Sequence, residues 1–130
     1  MSTGAVIVAA GVGRRMGAEV NKVLLPLLDK PILAYSLETF QSSSRVDRIA
    51  VVTREEDRSW VEEICSRFGI DKAKGRIIRG GAERFDSVRA GLESFAADGL
   101  DSVLIQDGAR PFLTQRMIEE TLDALATWAG

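Results

Sequence analysis

The sequence predicts an α/β fold, a Rossmann-like three-layer αβα sandwich built on a mostly parallel sheet. Three observations lead there. Short apolar runs alternate with amphipathic segments of helical period along the whole chain. The alternation reads β-loop-α-β-α-β-α-β-α, an order that parallel strands and right-handed crossovers satisfy. The length of 130 residues, with 45% apolar and 28% charged residues, suits one globular domain with a real core.

The elements follow in order. Ala5–Ala10 reads as a buried first strand. Pro31 suits a first helical turn, with Leu33, Leu37 and Phe40 on one face. Ile49–Thr53 reads as a second strand. Thr53 and Glu56 then form a capping-box pattern ahead of a stripe of Trp60, Val61, Ile64, Cys65 and Phe68. Arg76–Arg79 reads as a short third strand, and Val88, Leu92 and Phe95 as the apolar face of the next helix. Ser102–Gln106 is the fourth strand. Thr114 is placed to cap a last helix carrying Ile118, Leu122 and Leu125. A strand order of 3-2-1-4 is expected. The first connection, Gly11 to Lys30, is longer than compact domains usually tolerate without a functional reason.

Composition narrows the function. A net charge of −2 argues against a general nucleic-acid or membrane-surface binder. Cys65 is the sole cysteine, so no intrachain disulfide forms and a reducing compartment fits. No apolar run reaches the ~20 residues that span a bilayer, and the first run is too short for a signal peptide. A cytoplasmic location is the expectation. Histidine is absent, so chemistry must run on carboxylates, lysine, arginine or a bound metal ion.

In open α/β sheets ligands bind beyond the carboxyl ends of the strands, where the strand order switches. Strand one exits into Gly11-Val12-Gly13-Arg14-Arg15, strand three into Gly80-Gly81-Ala82-Glu83-Arg84 and strand four into Asp107-Gly108-Ala109-Arg110-Pro111. Strand two exits into a helix cap and reads as structural. Gly11 and Gly13 let backbone N–H groups approach an anion, and Arg14, Arg15 and Lys22 add positive charge, a set suited to a polyphosphate. Two familiar phosphate motifs are not matched. Met16 stands where a dinucleotide fingerprint needs glycine, and Lys22 lacks the neighbours of a P-loop lysine.

Three stretches together carry a resemblance. They are Ala9–Gly17 followed by Lys22-Val23-Leu24-Leu25-Pro26-Leu27, then Gly80–Val88, then Asp107–Pro111. The first resembles the signature of sugar-nucleotide pyrophosphorylase-like nucleotidyltransferases. All three, in this order, resemble the 2-C-methyl-D-erythritol 4-phosphate cytidylyltransferase family, and the likeness covers essentially all of the chain. The resemblance implies transfer of a cytidylyl group from CTP to methylerythritol phosphate with release of pyrophosphate, in non-mevalonate isoprenoid synthesis. It implies Arg15 and Lys22 as the catalytic cations. Ala9, Ala10, Gly11, Gly13, Gly81, Arg84, Ser87 and Gly108 become the nucleotide-binding residues. Asp107 is implied as the Mg²⁺ carboxylate and Arg110 as the acceptor-phosphate residue. No general base is required, because a phosphate dianion brings its own nucleophilic oxygen.

The chain departs from the family in two ways. Ala82 stands where members often carry aspartate, which removes a polar contact near the base. Members are also substantially longer. Residues 1–130 are therefore expected to be the nucleotide-binding part of a single nucleotidyltransferase domain, truncated before its C-terminal strands, keeping the CTP half-site without full transferase activity. A homodimer is implied for the full-length protein and left open for this stretch. Two other functions stay open: a cytidylyltransferase for another polyol or sugar phosphate, such as ribitol 5-phosphate, and a non-catalytic nucleotide-binding module.

Overall fold

The run Thr3–Ala9 is apolar without alternation, and a strand of that kind must be covered on both faces. In the computed structural model it is the buried strand β1 of a four-stranded parallel sheet. The structure describes residues 2–10, 26–108, 110 and 112–129. β1 is followed by β2 (Pro26–Leu27), β3 (Lys30–Pro31), α1 (Ile32–Ser42), β4 (Arg48–Thr53), α2 (Arg58–Arg67), β5 (Ile77–Arg79), α3 (Arg84–Ser94), β6 (Ser102–Asp107) and α4 (Gln115–Ala129).

The main sheet runs β5-β4-β1-β6, which is the expected 3-2-1-4 order of the four apolar runs. Val6 pairs with Ala50 on one side and Ile105 on the other, and Val51 pairs with Ile77. Alternation along the strands makes two cores. Ala5, Ile7, Ala9, Ile49 and Val51 pack on Leu33, Leu37 and Phe40 of α1, Val61 and Ile64 of α2, and Ile118 and Leu122 of α4. Val6, Val8, Ala50 and Val52 face the other way, toward Val88 of α3 and Phe95. Three helices thus cover one face and α3 the other, giving the three-layer sandwich.

Thr114 caps α4 as expected, its Oγ1 accepting from the Met117 N–H at 3.2 Å. The Thr53–Glu56 capping box does not form. Thr53 is the last residue of β4, held in the ladder between Ala9 and Arg79. A 3₁₀ turn, Glu55–Asp57, leads into α2 instead. The capping box lies one crossover later, where the Asp86 carboxylate accepts from the Glu83 N–H at 3.2 Å ahead of α3. On α2 the inward arc is Val61 and Ile64 with Cys65 and Phe68 partly buried, and Trp60 at its margin faces solvent. Cys65 joins that core edge as expected. Burial, aided by Glu62, pushes its thiol up to about 11, so it stays protonated.

One element was not legible as a strand pair. β2 and β3 form an antiparallel hairpin inside the long first connection. Its two-residue turn, Leu28-Asp29, has φ of 53° and 68°, a conformation that glycine and asparagine usually supply. The hairpin is tied to α1 by Tyr35, whose hydroxyl donates to the Leu27 carbonyl, and by an ion pair between Lys30 and Glu38.

Candidate nucleotide site at the carboxyl edge

Because all four main strands are parallel, their carboxyl ends open on one edge. β1 has β4 on one side and β6 on the other, so the strand order switches between β1 and β6. Val8 pairs with Asp107, and the Gly108 N–H donates to the Val8 carbonyl at 2.9 Å. The last carboxylate of β6 therefore lies beside the end of β1, half-buried. Gly108 is a close-approach position. A Cβ there would stand 3.0 Å from the Val8 carbonyl oxygen and 3.2 Å from Leu33 Cδ1 of α1.

The β5 exit approaches the same end of β1. A Cβ on Gly80 would meet Ser87 Oγ at 2.6 Å, Ala10 Cβ at 2.8 Å and Val52 Cγ1 at 3.1 Å. Ala10 and Ser87, far apart in sequence, are thus gathered around one bare backbone position. Gly80 was not singled out by sequence reasoning. The signal for it was present in the glycine doublet at a strand end. Gly81 is equally constrained, since a Cβ there would sit 2.2 Å from Asp86 Cβ. Ser87, in the first turn of α3, is buried. It is a wall of the α3–sheet seam and not a solvated first-turn polar residue.

Ala9 is fully buried, so what it offers a ligand is backbone. Arg84 and Arg110 are exposed, as is Arg79 at the end of β5. Among the described residues none of these three arginines makes an ion pair. Arg54, at the β4 exit, contrasts with them: its guanidinium grips Asp57 at 2.7 and 3.0 Å, so the second exit is structural as expected. The Arg110 N–H donates to the Asp107 carbonyl at 3.1 Å, and its own carbonyl accepts from Ser36 Oγ at 2.9 Å. Gly11, Gly13, Arg14, Arg15 and Lys22 lie outside the described residues.

The edge therefore brings together Ala9, Ala10, Gly80, Gly81 and Ser87 on the β1–β5 side and Asp107, Gly108 and Arg110 on the β6 side. Backbone N–H groups, small residues and arginines without an ion pair among the described residues suit a flat base and an anionic chain. Among the described residues no three acids, cysteines or histidines cluster as a metal cage. Asp107 is the carboxylate at the end of β6. No helix among the described residues is long and apolar enough to cross a membrane.

Comparison with known proteins agrees with this architecture. The profile of the 2-C-methyl-D-erythritol 4-phosphate cytidylyltransferase family matches residues 3–130. A protein of that name from Cereibacter sphaeroides is 41% identical over 130 residues, covering 100% of this chain and 56% of the relative. One from Syntrophotalea carbinolica is 44% identical over 125 residues, covering 95% of this chain and 53% of the relative. The crystal structure of 4-diphosphocytidyl-2C-methyl-D-erythritol synthase from Anaerococcus prevotii superposes with a TM-score of 0.75 at 29% identity, covering 95% of this chain and 50% of that one. The chain spans about half the length of the curated relatives it matches. With a match that runs from residue 3 to residue 130, the chain belongs to the 2-C-methyl-D-erythritol 4-phosphate cytidylyltransferase family.

Proposed function

We propose that this chain supplies the nucleotide-binding part of a single nucleotidyltransferase domain that transfers a cytidylyl group from CTP to 2-C-methyl-D-erythritol 4-phosphate. A phosphate oxygen of the acceptor attacks the α-phosphorus of CTP. A new P–O–P bond forms, the α–β bond breaks, and pyrophosphate leaves. Arg15 and Lys22 compensate the charge that spreads over the phosphoryl oxygens. Ala9, Ala10, Gly11, Gly13, Gly81, Arg84, Ser87 and Gly108 hold the nucleotide, and Arg110 holds the acceptor phosphate. The observation that carries the reading is the convergence of the β1, β5 and β6 exits on one edge, with Ala10 and Ser87 meeting at Gly80.

Asp107 is the residue that would hold Mg²⁺. A single half-buried carboxylate at a strand end fits an ion that takes oxygen ligands and draws most of them from substrate phosphates and water. When bound, the ion supplies further neutralisation of phosphoryl charge. A cytoplasmic location and a homodimer of the full-length protein belong to the same reading.

The test is calorimetric titration with CTP, ATP, GTP and UTP, with and without Mg²⁺, followed by a pyrophosphate-release assay over a panel of polyol phosphates. CTP is expected to bind best and to depend on Mg²⁺, with methylerythritol phosphate the preferred acceptor wherever turnover occurs. Arg15→Met is expected to lower any turnover about 10²–10³-fold while weakening CTP binding far less. A chain that binds no nucleotide would overturn the proposal.

A further inference from the structure

A serine in the middle of a helix ordinarily returns its hydroxyl to the carbonyl four residues back. Thr39 of α1 does so, donating to the Tyr35 carbonyl at 2.9 Å, which leaves only a long 3.3 Å contact to the Leu113 carbonyl. Ser36, one turn earlier and fully buried, behaves differently. Its hydroxyl donates across the fold to the carbonyl of Arg110, 74 residues away, at 2.9 Å. Leu33 lies three residues before Ser36, on the same helix face. Its Cδ1 stands 3.2 Å from where a Cβ of Gly108 would be. A further bond, Gln115 Nε2 to the Thr39 carbonyl at 2.7 Å, ties the start of α4 to the same helix.

We infer that the Leu33–Ser36 face of α1 is a ledge that sets the β6 exit, and that Ser36 is a positioning residue for Arg110. The Arg110 backbone is held at both polar groups, its N–H by the Asp107 carbonyl and its carbonyl by Ser36. The root of an exposed guanidinium is thereby fixed relative to the Asp107 carboxylate. A fixed root lowers the ordering cost when an anion is gripped, and small misplacements of such groups are expensive. This inference rests on the proposed function, in which Arg110 meets the acceptor phosphate. It adds the residue, outside the site itself, that holds that arginine in place.

The test compares the wild-type chain with Ser36→Ala and Thr39→Val. Amide hydrogen exchange is read at Arg110 and, as a core reference, at Val6. Calorimetry is read for CTP with Mg²⁺ and then for methylerythritol phosphate added to that complex. Ser36→Ala is expected to speed exchange at Arg110 about 10-fold and leave Val6 unchanged. It should weaken acceptor affinity about 5- to 10-fold, with CTP affinity held within about 2-fold. Thr39→Val, which removes the weaker contact, should leave Arg110 protected. Unchanged exchange at Arg110 in Ser36→Ala overturns the inference. So does an equal loss of CTP and acceptor affinity, or the same opening of Arg110 in Thr39→Val. If the wild-type chain binds neither ligand, the functional proposal fails, and exchange at Arg110 still decides whether Ser36 sets this edge.

Discussion

At the amino ends of the strands, acidic side chains meet arginines and backbone donors, whereas at the carboxyl ends Arg79, Arg84 and Arg110 are exposed and, among the described residues, make no ion pair. Asp98 lies 2.6 Å from Arg76 and 3.3 Å from Arg48. Asp47 accepts from the Thr3 N–H at 2.8 Å, and Asp101 accepts from the Ser2 N–H at 2.8 Å. Each of these three acids is paired within the fold. At the opposite end those arginines make no such pair among the described residues, and glycines replace side chains at Gly80, Gly81 and Gly108. Satisfaction of that kind is what stability selects, and exposed arginines without ion pairs at one edge of a well-packed sheet support the proposal that this edge takes a ligand.

The contrast can be broken at either end. Asp98→Ala should have the largest effect, because it leaves Arg76 without its counter-charge in a largely buried position. A loss of about 2–3 kcal/mol is expected in urea unfolding, with Arg48 contributing little because it is half exposed. CTP affinity should not change. Asp107→Asn should act on the ligand, weakening CTP binding in Mg²⁺ by about 100-fold, or ~2.7 kcal/mol. A variant that moved both quantities together would erase the distinction between the two edges. Thr114→Ala removes the cap of α4 beside the site and should cost about 1 kcal/mol of stability, read by thermal melting.

The smallest effect is a pH dependence. Donation from the Ser2 N–H, and then from its hydroxyl, holds the Asp101 carboxyl below its ordinary value. Its contribution is therefore present above the unfolded carboxylate value of about 4 and fades as pH falls through the lower folded value. The melting temperature of the wild type should drop more between pH 5 and pH 2.5 than that of Asp101→Asn, with the two curves converging at the acid end. Equal slopes would mean that the clamp on the amino edge contributes nothing.

What could be read in advance follows from which forces act locally. β1 and β4 were legible because burial on both faces demands continuous apolar runs, and the strand order because the helices between the strands demand parallel pairing. Thr114 was legible because a cap acts within three residues. The Thr53 capping box was misread because a ladder position, fixed by strands distant in sequence, outweighed a local pattern. Asp107, Gly108 and Gly81 were named from their motifs; Gly80 stands in the same doublet, but its role and that of Ser36 were not readable from the sequence. The importance of Gly80 lies in Ala10 and Ser87 approaching from other elements. That of Ser36 lies in a hydrogen bond to a residue 74 positions away.

The Leu28-Asp29 turn carries an untapped reserve. Two residues with side chains occupy left-handed backbone at a place where asparagine and glycine would rest without strain, each such position costing about 1 kcal/mol. Leu28 is also 87% exposed, so its side chain gains nothing from burial. Leu28→Asn combined with Asp29→Gly should therefore raise the melting temperature by roughly 3–6 °C. In a directed-evolution experiment this turn is a place to gain thermal tolerance first, creating room for destabilising changes elsewhere in the chain.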